Sequence, residues 1–128
     1  MDVIILVEAF VAQHTNIISL KNYKPHKIIG QTNKNDGIMV YTKNDLTVSN
    51  IETNLNLFKS SAISMLVSKQ GDTAVRILAC YRSPENSRTT LDKFVEQLEE
   101  LFLKESYKNC LMMGDLNINI NASNAHNE

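Results

Sequence analysis

Val3-Ile4-Ile5-Leu6-Val7, close to the start of the chain, is five apolar residues without a polar interruption, four of them β-branched. Such a run reads as a strand buried on both faces rather than one alternating between core and water. A strand of this kind needs a layer above it and a layer below it, so a layered α/β architecture is expected. Glu8 follows directly. A carboxylate at the end of a buried strand is either a solvated end-cap or a ligand aimed at something beyond the sheet, and both readings stand.

The remainder of the chain can supply those layers. Its 128 residues suit one domain or a large piece of one, and 43% hydrophobic against 21% charged residues is enough for a core. The net charge of −1 gives no general basic field, so any contact with nucleic acid has to be local. Cys80 and Cys110 sit in apolar runs without metal-ligand or disulfide spacing, and are expected to be reduced core residues of an intracellular protein. Residues 2–8 lack a basic leader and are interrupted by Glu8, which argues against a secretory signal. No apolar run approaches the ~18 residues of a membrane span, so no membrane partner is expected.

Residues 11–36 are expected to be an irregular polar stretch with Pro25 and Gly30. Lys21, Lys24, Lys27 and Lys34, with Tyr23 and His26, make a modest basic-aromatic patch there. It suits phosphate contacts, and equally a solvated surface loop; His14 and His26 have no ligand partners at suggestive spacing. Asp36-Gly37 opens a strand over Ile38 to Lys43, whereas 46–60 is ambiguous. Ala62 to Ser68 and Thr73 to Tyr81 read as a hairpin around Lys69-Gln70-Gly71-Asp72. Ile63, Met65, Val67, Val75, Ile77, Ala79 and Tyr81 should form one inward face.

After the Ser83-Pro84 turn, one helix is expected from Leu91 to about Glu105. Leu91, Phe94, Val95, Leu98, Leu101 and Phe102 give it an apolar face, with Asp92 and Lys104 suited to its dipole. Cys110 to Met113 then reads as a short buried strand ending in Gly114-Asp115-Leu116-Asn117. Gly, Asp and Asn are common turn residues; the same short polar side chains at a strand end also aim oxygens and an amide at a ligand. The Asn-rich tail is expected to fray, with a domain over 1–121 and a disordered 122–128.

Three strand ends thus carry polar candidates: Glu8, Tyr81 with Arg82, and Asp115 with Asn117. Their order resembles the endonuclease/exonuclease/phosphatase superfamily, and more closely the endonuclease domain of animal non-LTR retrotransposon polyproteins. Ile5-Leu6-Val7-Glu8-Ala9 is similar to that family's Leu-Thr-Glu-Thr segment, and residues 36–44 to its Gly-Gly-Val-Ala-Ile-Tyr-Val-Lys strand. Ala79-Cys80-Tyr81-Arg82-Ser83-Pro84 resembles its Tyr-Arg-Pro-Pro turn, and Met113-Gly114-Asp115-Leu116-Asn117-Ile118 its Gly-Asp-Phe-Asn motif. The resemblance implies a partial four-layer α-β-β-α sandwich of the deoxyribonuclease-like type, seen here mainly as one mixed β-sheet with a packed helix.

It also implies a reaction, Mg²⁺-dependent (or Mn²⁺-dependent) hydrolysis of a DNA phosphodiester, in a nuclear or cytoplasmic setting. Glu8 would be the metal ligand, since Mg²⁺ takes hard oxygen donors and few carboxylates. Tyr81 would donate a hydrogen bond to the phosphate, and Arg82 would bind it. Asp115 would orient or deprotonate the attacking water, and Asn117 would bind the phosphate or the developing oxyanion.

Val7, Ser83 and Leu116 depart from the family's Thr, Pro and Phe. The family's first strand with its Asn, and its final Asp-His segment, have no counterpart in residues 1–128; His126 matches no such motif. The resemblance therefore implies a copy truncated at both ends, with weak or lost activity and an uncovered sheet face prone to self-association. Two alternatives remain open: a non-catalytic remnant that binds a protein partner through that face, and a phosphatase or phosphodiesterase of the same superfamily.

Overall fold

In the computed structural model the described residues are 1–11, 16–30, 36–85 and 87–119. The readings made for His14, Lys34, His126 and the 122–128 tail lie outside them. Among the described residues there are seven strands: β1 (Val3–Val7), β2 (Tyr23–Ile29), β3 (Gly37–Lys43), β4 (Leu46–Glu52), β5 (Ser60–Lys69), β6 (Val75–Arg82) and β7 (Cys110–Asp115). One helix, α1 (Arg88–Phe102), and a short 3₁₀ turn (Glu105–Tyr107) separate β6 from β7. The class is α+β, mostly strand. The expectation of mainly one mixed sheet is corrected: there are two sheets, an antiparallel β1-β3-β2 and a mixed β4-β5-β6-β7.

The β5–β6 hairpin is the spine of the second sheet, with Ile63 opposite Ala79 and Met65 opposite Ile77. Its alternation sorts side chains as the period of two requires. Ile63, Met65, Val67, Ile77, Ala79 and Tyr81 face the first sheet, where they meet Ile28, Ile38 and Val40. Ala62, Leu78 and Cys80 face the other way and lie under Phe94 and Leu101 of α1. The order of layers is therefore first sheet, second sheet, helix. A smaller cluster of Val11, Met39 and Tyr41 covers the outer face of the first sheet.

Three local expectations are corrected. The 11–36 stretch contains β2, paired along its length with β3, and Pro25 sits opposite Tyr41. Proline lacks an amide donor, and β2 tolerates it because it is an edge strand. Neither β1 nor the Cys110–Met113 run is buried on both faces. Both strands are edges, and Leu6, Leu111 and Met113 are 47%, 52% and 45% exposed. The helix begins three residues early because the Ser87 hydroxyl accepts from Thr90 N–H as its N-cap. This shift moves Asp92 out of the first turn, and the end of the helix at Phe102 leaves Lys104 beyond the last, so the dipole pairing is not made.

One buried polar side chain ties two layers together, and a second polar contact lies within the first sheet. Arg76, 2% exposed, donates through Nε to Ser106 O at 2.7 Å and through Nη1 to Ser64 Oγ at 2.8 Å. It lies over the Tyr107 ring at 4.8 Å and pairs with Glu52 at 3.5 Å, tying the 3₁₀ turn to the sheet. On the first sheet, His26 Nε2 hydrogen-bonds Thr42 Oγ1 at 3.0 Å. No helix among the described residues is long and apolar enough to cross a membrane.

Burial, and secondarily the charge of Lys24, hold the His26 imidazole below its ordinary value of 6.5. Between that lowered native value and 6.5 the unfolded chain binds more protons than the folded one. Stability contributed by neutral His26 is thus complete above 6.5 and lost as pH falls through the window. Urea midpoints recorded down a pH series should decline more steeply for the wild-type chain than for His26→Gln.

Candidate active site

Strand register carries the candidate residues toward one end of the stacked sheets. Val7 pairs with Ile38, so Glu8 leaves β1 beside Gly37, and Ala9 N–H donates to Gly37 O at 3.0 Å. Asp36, immediately before β3, accepts from Ser61 Oγ of the second sheet at 2.6 Å. Ser61 is the register partner of Tyr81, and Tyr81 of Asp115. Glu8, Asp36, Ser61, Tyr81 and Asp115 therefore belong to the same end, and Asn117 follows two residues beyond β7.

Glu8 is exposed and has φ of 51°, and Phe10 has 53°. Left-handed backbone is uncommon for residues other than Gly, Asn and Asp, so the chain leaving β1 is strained at this carboxylate. Asp115 is also exposed. Its Oδ1 accepts from Asn117 N–H at 3.0 Å, a turn in which the carboxylate mimics a backbone carbonyl. Asn117 has φ of 48°, a conformation asparagine tolerates well, and its Nδ2 donates to Arg82 O at 2.8 Å. One amide hydrogen is engaged in this way, while a carboxamide offers a second N–H and an acceptor oxygen.

Tyr81 and Arg82 do not act together. Tyr81 lies in the apolar layer between the sheets at 2% exposure, whereas Arg82 turns to the helix side, its guanidinium 5.7 Å from the Phe94 ring. Arg82 Nη2 donates to Glu85 O at 2.7 Å, and Nη1 reaches Leu116 O and Asn117 O at 3.4 Å each. Buried on three main-chain carbonyls, Arg82 is a clamp on the 116–117 loop. The guanidinium expected to bind phosphate is thus engaged with main-chain carbonyls. Arg82 and Asn117 hold one another's backbone reciprocally.

Gly114 sets how closely β7 meets β6. It has φ of +147°, and a Cβ placed on it would stand 1.8 Å from Cys80 O. Only glycine permits this approach. Gly114 to Asn119 line an open hollow of about 660 Å³. Beneath it, burial pushes the Cys80 thiol up to about 12; a hydrogen bond with Ser60 and the charge of Arg82 pull it down, and Asp36 pushes it up.

Asp36 and Ser61 have no part in the expected site, yet both are buried there, at 0% and 2% exposure. Asp36 Oδ1 also accepts from Gly37 N–H at 2.6 Å. The one sequence signal was the Asp-Gly pair, which reads equally as a turn. As for a metal, no group of three or more His, Cys, Asp or Glu among the described residues could hold one.

No family model, curated protein or solved structure matches this chain.

Two substitutions probe this geometry. Gly114→Ala should lower unfolding free energy by about 3 kcal/mol or more, because it adds a clash to an unfavourable φ. Gly71→Ala, at φ +85° with nothing within 4 Å, should cost about 1 kcal/mol; urea unfolding compares them. Arg82→Lys, which keeps the charge and loses the fork, should cost about 1–3 kcal/mol and speed amide exchange at Asn117.

Proposed function

We propose that the chain is a metal-assisted phosphodiesterase acting on DNA, a divergent relative of the retrotransposon endonucleases whose motifs it resembles. The observation that carries this reading is the register line from Glu8 through Asp36, Ser61 and Tyr81 to Asp115. It brings two exposed carboxylates from different sheets to one end of the fold, with the Asn117 amide beside the second. Backbone strain at Glu8 adds to it, since left-handed non-glycine residues gather at ligand sites. Two facing sheets with a helix outside the second are also what a partial deoxyribonuclease-like α-β-β-α sandwich would contain.

In this reading Glu8 holds Mg²⁺ or Mn²⁺, which when bound offers a Lewis acid to a phosphate oxygen. Asp115 orients or deprotonates the attacking water. Asn117 donates to the phosphate or to the oxyanion that develops on it. Tyr81 donates to the phosphate from the layer between the sheets, where it is buried. Arg82 acts through the loop it clamps. Among the described residues no histidine partners Asp115, since His26 is bonded to Thr42 on the first sheet. Lacking such a relay lowers the expected rate by a factor on the order of 10²–10⁴.

Plasmid nicking tests the reading. The wild-type chain with Mg²⁺ should nick slowly and lose activity to EDTA, and Glu8→Ala and Asp115→Ala should each reduce the rate about tenfold or more. Absence of nicking, or nicking that survives both substitutions, would favour the partner-binding alternative, for which the exposed Leu111 and Met113 of β7 speak.

A further inference from the structure

The outer edge of β7 has no strand beside it among the described residues, and its one charge is Asp115, its last residue. From Cys110 to Gly114 it carries no charge and no proline, and Leu111 and Met113 stand half exposed beside the buried inter-sheet layer. Edge strands are normally blunted by charge, proline or a covering element. The main-chain polarity of this edge follows from one hydrogen bond. Arg76 N–H donates to Asn109 O, so Asn109, Leu111 and Met113 turn their backbone groups toward β6. Cys110, Met112 and Gly114, one residue out of phase, direct theirs outward.

We propose that this edge pairs with itself, β7 against the β7 of a second copy, antiparallel and centred on Met112. The two Met112 residues would then exchange both N–H···O=C bonds across the dyad, and Cys110 would do so with Gly114 of the second copy. Between them Leu111 faces Met113 of the second copy, and Met113 faces Leu111, so apolar meets apolar on the face shared with Ile77 and Ala79. Asp115 faces neutral Asn109. Neighbouring registers that keep the outward groups paired are poorer. One sets Asp115 opposite Leu111; the other sets Met113 opposite Asn109 and Lys108 opposite Gly114. The strand is thus self-complementary in one register, as a two-fold interface requires. A net charge of −1 opposes the approach of two copies only weakly. The two four-stranded sheets become one of eight.

Sedimentation equilibrium of the whole chain should give twice the chain mass for the wild type. In the double variant Leu111→Lys, Met113→Lys, four lysines would face one another across the dyad and the mass should halve. Both side chains are already half exposed, so the variant should keep its circular dichroism, and its urea midpoint should no longer depend on protein concentration. A wild-type monomer throughout the micromolar range, or a dimer that persists in a folded double variant, overturns the proposal. Cross-linking supplies an arm independent of that variant's folding. In a Cys110→Ser background, oxidising a mixture of Leu111→Cys and Met113→Cys chains should join them, and neither chain alone should cross-link. Cross-linking of either alone, or none in the mixture, overturns the register.

Discussion

The carboxylate of Asp36 is the polar contact on which the alignment of the two sheets depends. Apolar layers hold sheets together without fixing how far one slides along the other, because the hydrophobic effect has no direction. A fully buried carboxylate does have direction, since burial is unfavourable unless its oxygens are satisfied. With Oδ1 on Gly37 N–H and Oδ2 on Ser61 Oγ, Asp36 sets the start of β3 against the start of β5. The ladders then carry that alignment outward, to Glu8 on one side and through Tyr81 to Asp115 on the other.

The parts of the fold legible in the sequence were those decided within a few residues. The alternation of Ile63, Met65 and Val67 against Ile77, Ala79 and Tyr81 determines both the hairpin and its inner face, and all six are buried there; Val75, expected on the same face, begins β6 and is 44% exposed. The spacing of Phe94, Leu98 and Leu101 likewise determines which side of α1 packs, while Val95 and Phe102, expected on that face, stay exposed. What depends on distant neighbours was not legible. An apolar run such as Val3–Val7 looks the same whether a strand lies on one side of it or on both, and Pro25 reads as a loop signal until its edge position is known. Asp36 was hidden for the same reason, because its partner Ser61 is 25 residues away.

The Tyr81-Arg82 pair shows how the period of a strand limits what a motif can do. Adjacent residues of an extended strand point to opposite faces, so a Tyr-Arg dipeptide cannot present both groups to one ligand while the strand continues through it. Here β6 runs to Arg82, and the two side chains fall on either side of the second sheet. The tyrosine belongs to the inter-sheet space and the arginine to the helix layer. The arginine reaches the candidate site only through the backbone it grips.

Cys80 lies where these arrangements meet, fully buried on β6 beneath α1, with its carbonyl against Gly114 and its thiol held near 12. Burial thus disfavours the thiolate, which is the reactive form. An electrophile in solution therefore meets Cys80 when the helix lifts from the sheet and not before. Its labelling rate is a clock for that opening, read against the half-buried Cys110 in the same molecule.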